Sequence, residues 1–172
     1  MVNDGKQYIM SGPLRILGID PGLAETGWGV IEKTDNRLHV LEWGSIKTAA
    51  AQVHSLRLLD IYNEIQSVIQ RCKPAVGAIE KLYFSKNAKS AMPVGEARGV
   101  LCLAMAQAGL TVTEYSPNEI KQAIVGVGQA EKHQVQEMVR FILGLEKIPQ
   151  PDHAADALGA AICRAYNIIR LL

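Results

Sequence analysis

The run LRILGID, Leu14 to Asp20, is apolar and strand-like, ends on a carboxylate and stops at Pro21-Gly22, a strong turn signal. A second short apolar run, AVGAIE from Ala75 to Glu80, ends in the same way. In α/β sheets, ligands sit beyond the carboxyl ends of parallel strands. If the two runs are parallel neighbours, Asp20 and Glu80 stand one strand spacing apart, about 5 Å. Two anions that close are mutually costly unless a cation neutralises them. Oxygen ligands with open positions suit Mg²⁺ or Mn²⁺. Each acid also has a plainer reading: Asp20 as turn chemistry before Pro-Gly, and Glu80 as a solvated strand end.

The remaining pattern predicts the frame around these acids. GWGVIEK (Gly27 to Lys33) and RLHVLEWGSIKT (Arg37 to Thr48) read as strands, with TDN (Thr34 to Asn36) as a tight hairpin turn. From Ala51 to Cys72, the residues Val53, Leu56, Leu59, Ile61, Ile65, Val68 and Ile69 recur at helical spacing, and Pro74 ends that helix. A second helix is predicted from about Ala88 to Ala108, with Pro93 delaying its proper start until after Met92. TVTEYS (Thr111 to Ser116) reads as a strand, and helices follow over Asn118 to Val125, Ala130 to Leu143 and Asp152 to Ile169.

Three strands in hairpins followed by two helix–strand units predict an α/β fold with a five-stranded mixed sheet: three antiparallel strands, then two parallel, flanked by helices. No linker or repeat divides residues 14–172, so one domain is expected. Residues 1–13 read as a flexible extension.

Composition narrows the class. A chain of 172 residues can bury a substantial core, and 48% hydrophobic with 20% charged residues is ordinary for a globular protein. The net charge of +1 gives no bulk attraction to nucleic acid, so any basic surface must be local. Cys72, Cys102 and Cys163 are far apart and lack C-x-x-C spacing, which fits reduced thiols in a cytoplasmic protein. The longest apolar run, Gly99 to Leu110, is interrupted by Gln107 and is too short for a bilayer, so no membrane partner is expected. The N-terminus lacks the order of a signal peptide.

The third chemical feature is PQPDHAADALGAA, Pro149 to Ala161. Asp152, His153 and Asp156 fall where a helix begins, and two pairings are open: Asp152 with Asp156, or His153 with Asp156. Either pair, together with Asp20 and Glu80, would complete a carboxylate-rich cluster for two cations about 3.5–4 Å apart.

Four stretches taken in order, LGIDPGLAETGWGVIE, AIEKLYFSKNAKSAMPVGEARGV, EYSPNEIKQAIVGVGQAEKHQVQEMV and PQPDHAADALGAAI, resemble the RuvC family of Holliday-junction resolvases, endonucleases with an RNase H-like fold. The resemblance covers nearly everything from Leu14 to about Ala165. It implies catalytic acids at Asp20, Glu80 and Asp156, with His153 at the fourth ligand position, where other members carry Asp or His. It also implies a homodimer acting on a four-way DNA junction in recombination and repair. Each site would hold two Mg²⁺ ions, with Mn²⁺ tolerated, and would hydrolyse a phosphodiester to leave a 5′-phosphate. A branch-migration complex of the RuvA-RuvB type is the implied partner.

Lys121 and Lys132 match family positions tied to DNA binding. Tyr83, or the adjacent Phe84, matches an aromatic that stacks on an unpaired base. Lys81, Lys86 and Lys89 make that segment locally basic. Gly126 and Gly128 are read as letting the backbone approach phosphates, and Arg98 as a partner of Glu96 or support for a dimer face. Asp152 is expected to cap the last helix. His153 and Asp156 then lie at i and i+3 with Cβ atoms about 5–6 Å apart, so the pair His153 with Asp156 is preferred.

Three rivals share parts of this pattern. A sugar-kinase or actin-type ATPase has a similar first hairpin but needs two such domains. An RNase H-like nuclease of RNA processing shares the acids but not KNAKSA or AEKHQVQEMV. A catalytically inactive junction-binding module would have no reason to keep the acids.

Overall fold

The computed structural model describes residues 12–82 and 88–169. The elements run β1 (Leu14–Asp20), β2 (Glu25–Thr34), β3 (Arg37–Lys47), α1 (His54–Cys72), β4 (Val76–Glu80), α2 (Ala88–Gln107), β5 (Thr111–Tyr115), α3 (Pro117–Val125), α4 (Lys132–Ile142) and α5 (Asp152–Ile169). The sheet order is β3-β2-β1-β4-β5. β1–β2 and β2–β3 are antiparallel, whereas β1–β4 and β4–β5 are parallel, as expected from the sequence.

β1 is the middle strand because both of its faces are apolar. Ile16 points into a core shared with α3, α4 and α5, and Leu17 and Ile19 point into a second core shared with α1 and α2. All three are fully buried. Each such side chain contributes about 1.5–3 kcal/mol over leaving it exposed. The β2–β3 hairpin turns at Asp35, whose φ of 53° is left-handed, a conformation Asp tolerates.

α5 sits unusually close to the sheet. Its Ala154, Ala155, Ala157, Ala160 and Ala161 are buried, and Gly18 lies against Ala157 and Ala161, Gly27 against His153 and Gly29 against Leu158. A β-carbon on Gly18 would fall 2.8 Å from the Ala161 nitrogen, and one on Gly27 would fall 2.8 Å from the His153 β-carbon. Small residues on both surfaces therefore set the height of α5 above β1 and β2.

Three expectations are corrected. α2 runs from Ala88 through Pro93, its sixth residue, which lacks the N–H that would reach back to residue 89, while the rest of the helix continues to Gln107. Arg98 pairs with Glu114 rather than Glu96, whose carboxylate instead meets His54 Nε2 at 2.6 Å. Asp152 is the first residue of α5 and not its cap. The Pro151 carbonyl accepts from the Ala154 N–H at 2.9 Å and the Ala155 N–H at 3.4 Å, and the Asp152 carboxylate turns to Lys132.

Candidate active site

β1 and β4 end level with each other. Ile19 is the register partner of Ile79, so the next residues, Asp20 and Glu80, stand side by side at the carboxyl ends of adjacent parallel strands. Gly27 is the register partner of Asp20 on the other side. Because Gly27 has no side chain, the first turn of α5 lies directly over it and brings His153 to Asp20. His153 Nδ1 lies 2.7 Å from Asp20 Oδ2; a carboxylate accepts, so the ring nitrogen donates. One ligand atom each from Asp20, His153 and Asp156 lies within 4.8 Å of the others.

Two capped helices bring the lysines. At the start of α3, Ser116 Oγ accepts from the Glu119 N–H at 3.2 Å, and the Ser116 N–H donates to Glu119 Oε2 at 2.7 Å. This capping box fixes the entry of the helix that carries Lys121. At the start of α4, the Glu131 N–H donates to Gln134 Oε1 at 3.0 Å, next to Lys132. Lys132 Nζ lies 3.0 Å from Asp156 Oδ2 and 3.3 Å from Asp152 Oδ2. Glu80, Asp156, Lys121 and Lys132 together line a cleft of about 220 Å³, closed on its apolar side by Ile120 and Val135.

The electrostatics show strain among the acids. Burial first, then the charges of Asp20 and Asp156, push the Glu80 carboxyl up to about 7 against the pull of Lys132 and Lys121. Burial also raises Asp20 above the usual carboxylate range, with Asp156 adding to it, despite the opposing hydrogen bond from His153. Burial works against the charge of Lys132, but Asp156 and then Asp152 outweigh it and hold the ammonium above its ordinary value. A cation among Asp20, Glu80 and Asp156 would relieve this crowding, and three carboxylates with one imidazole are a donor set that Mg²⁺ or Mn²⁺ accepts. The residues fit a divalent metal.

Asp20, Glu80, His153, Asp156, Lys121 and Lys132 are therefore brought together. Tyr83, Phe84 and Lys86 lie outside the described residues. Gly126 has a structural role: at φ +80° it caps α3, its N–H bonding the Gln122 carbonyl at 3.0 Å. It lines, with Gly128, a different cavity of about 880 Å³. Sequence reasoning missed Gly18, Gly27 and Gly29, although a glycine inside a strand signals close approach of another backbone. It also missed the link from Asp152 to Lys132, for which nothing local gives a signal.

The class that this sheet and acid set define is the RNase H-like nucleases. Within it, the chain belongs to the RuvC family: residues 16–164 match the family model described as crossover junction endodeoxyribonuclease RuvC. The crossover junction endodeoxyribonuclease RuvC of Treponema denticola is 54% identical over 149 residues, covering 87% of this chain and 84% of that one. The Thermus thermophilus RuvC structure superposes with a TM-score of 0.83 at 35% identity, covering 92% of this chain and 96% of that one. T. thermophilus RuvC in complex with Holliday junction substrate gives 0.82 at 33% identity over the same shares.

Proposed function

We propose that this chain is a metal-dependent endonuclease that resolves four-way DNA junctions by hydrolysing one phosphodiester on each of two opposed strands. The observation that carries this reading is the convergence of Asp20, Glu80, His153 and Asp156 at the ends of two parallel strands and one helix, beside Lys121 and Lys132. The crowding that raises Asp20 and Glu80 supports a divalent-ion site. Two Mg²⁺ ions per site, with Mn²⁺ tolerated, would be held by these four residues and would supply the charge that activates water and stabilises the leaving 3′-oxygen.

The chain's own groups do the rest. Asp20 lies between β4 and α5 and faces both Glu80 and His153, so it is the natural shared ligand. His153 orients the Asp20 carboxylate through its ring nitrogen. Lys121, midway along α3, and Lys132, at the start of α4, present compact positive charge to phosphate. Tyr83 or Phe84, with Lys86, would engage bases and backbone at the junction centre.

The working form is a homodimer of single nuclease domains. α2 supports this: Met92 is 70% and Leu103 54% exposed, and among the described residues nothing lies within 4 Å of a β-carbon placed on Gly95 or Gly99 between them. An apolar helix face of this kind suits a second copy. A RuvA-RuvB type branch-migration complex and a cytoplasmic setting complete the reading. Among the described residues, no helix is long and apolar enough to cross a membrane.

The test is a nicking assay with Mg²⁺ on four-way junctions, linear duplexes and RNA–DNA hybrids. Symmetric cuts in the junction alone are expected. Efficient hybrid cleavage would move the chain to the RNA-processing nucleases, and binding without cleavage would make it an inactive junction module.

A further inference from the structure

Among the described residues Lys132 has two carboxylate partners, and only one of them belongs to the acid cluster. Its Nζ lies 3.0 Å from Asp156 and 3.3 Å from Asp152. Asp156 groups with Asp20 and His153 in the candidate metal site, whereas Asp152 does not. A metal ion that binds the Asp156 oxygen facing Lys132 takes that oxygen from the lysine. An ammonium that lost its only partner while a divalent cation arrived alongside would oppose that ion by like-charge repulsion. A second partner changes this, because Lys132 can release Asp156 and remain paired.

We propose that Asp152 is a positioning residue that keeps hold of Lys132 when a metal ion takes Asp156, so that the lysine yields one carboxylate without leaving the site. The inference rests on the reading of Asp156 as a metal ligand and extends it to a residue outside the ligand set. α5 makes the arrangement possible. Asp152 precedes His153 on the first turn, so the helix that offers His153 and Asp156 to the ion also carries the second partner for the lysine. Lys132, held beside the cluster, is then placed for a DNA phosphate.

The experiment measures Mn²⁺ binding to the full-length, DNA-free protein by electron paramagnetic resonance. It compares wild type, Lys132→Met, Asp152→Asn and the double variant. Lys132→Met is expected to tighten Mn²⁺ binding by about twofold to fivefold, the size of one half-exposed ion pair. Asp152→Asn is expected to weaken binding in the presence of Lys132 and to weaken it distinctly less in the double variant, relative to Lys132→Met alone. Lys132→Gln repeats the comparison with a polar side chain, so that a folding defect in one variant cannot decide the result.

Equal effects of Asp152→Asn with and without Lys132 would overturn the proposal, because Asp152 would then act on the ion directly or by charge alone. Unchanged affinity in both lysine variants would overturn it as well. Junction cleavage by the wild type is scored separately. Cleavage without coupling removes this inference and leaves the nuclease reading, and coupling without cleavage does the reverse.

Discussion

His153 Nδ1 and Asp20 Oδ2 lie 2.7 Å apart although 133 positions separate them in the chain. The contact puts His153 beside Asp20, whereas Asp152, one residue earlier on the same helix, turns to Lys132. His153→Ala is therefore expected to reduce cleavage by about 10- to 100-fold, the cost typical of a residue that orients or binds at a metal. Asp152→Ala should lose clearly less at the same metal concentration. The reverse order, in a junction-nicking time course, would transfer the ligand role to Asp152.

Asp20→Asn removes the carboxylate that faces both Glu80 and His153 while leaving Lys121 and Lys132 in place. Cleavage should fall by more than about 100-fold. Gel-shift affinity for the junction should stay close to wild type. A folded variant that loses both would place Asp20 in DNA binding instead.

The crowded acids make the metal-free protein sensitive to pH in a defined direction. Glu80 binds its proton at about 7 when folded, against an ordinary value of 4.5, so the folded state holds more protons than the unfolded state between those values. Stability contributed by that proton is present below the window and is lost as pH rises through it. Asp20, also raised, acts with the same sign. The melting temperature in chelator should therefore drop between about pH 5 and pH 7.5, and drop less in Glu80→Gln. Added Mg²⁺ should raise it more at the upper pH, where the carboxylates are ionised. An equal slope in Glu80→Gln would contradict the assignment.

Gly27 is where sheet and helix come closest to the chemistry. A β-carbon there would meet the His153 carbonyl and stand 2.8 Å from the His153 β-carbon. Gly27→Ala should cost about 1–3 kcal/mol by overpacking. It should also depress cleavage more than the lost stability explains, by displacing His153 from Asp20. Gly128→Ala, whose nearest neighbour would be 3.7 Å away, should change stability by less than about 0.5 kcal/mol. Chemical denaturation and single-turnover rates on both variants check the contrast.

Lys121 lines the acid cleft from α3 without, among the described residues, a carboxylate partner of the kind Lys132 has. It is the simplest phosphate contact to test. Lys121→Ala should weaken junction binding and reduce the slope of log affinity against log salt by about one. An unchanged slope would show that Lys121 serves the fold or the acids and not the DNA.

Much of this is legible in the sequence. Asp20 and Glu80 each close an apolar run, and a strand that ends in an acid is a local pattern. The helix from Asp152 to Ile169 has the same bounds in sequence and structure, because its alanine-rich periodicity is local too. At Pro93 the sequence points the other way: a proline inside a helix is locally unfavourable, yet α2 runs through it. Arg98 pairs across to Glu114 on β5 while Glu96, its neighbour in sequence, meets His54, and both partners come from other elements.

The sequence by itself determined where strands and helices run, which faces are apolar and which ionisable groups stand at element ends. All of these follow from short-range backbone geometry and from side-chain periods of two and 3.6. Only the tertiary structure decided which charges meet. The level ends of β1 and β4, and the glycines under α5, brought Asp20, Glu80, His153 and Asp156 together and gave Lys132 two carboxylates. Electrostatic energy depends on separations of a few ångströms and on burial, and residues 133 apart in the chain acquire both only when the sheet forms and the last helix docks on it.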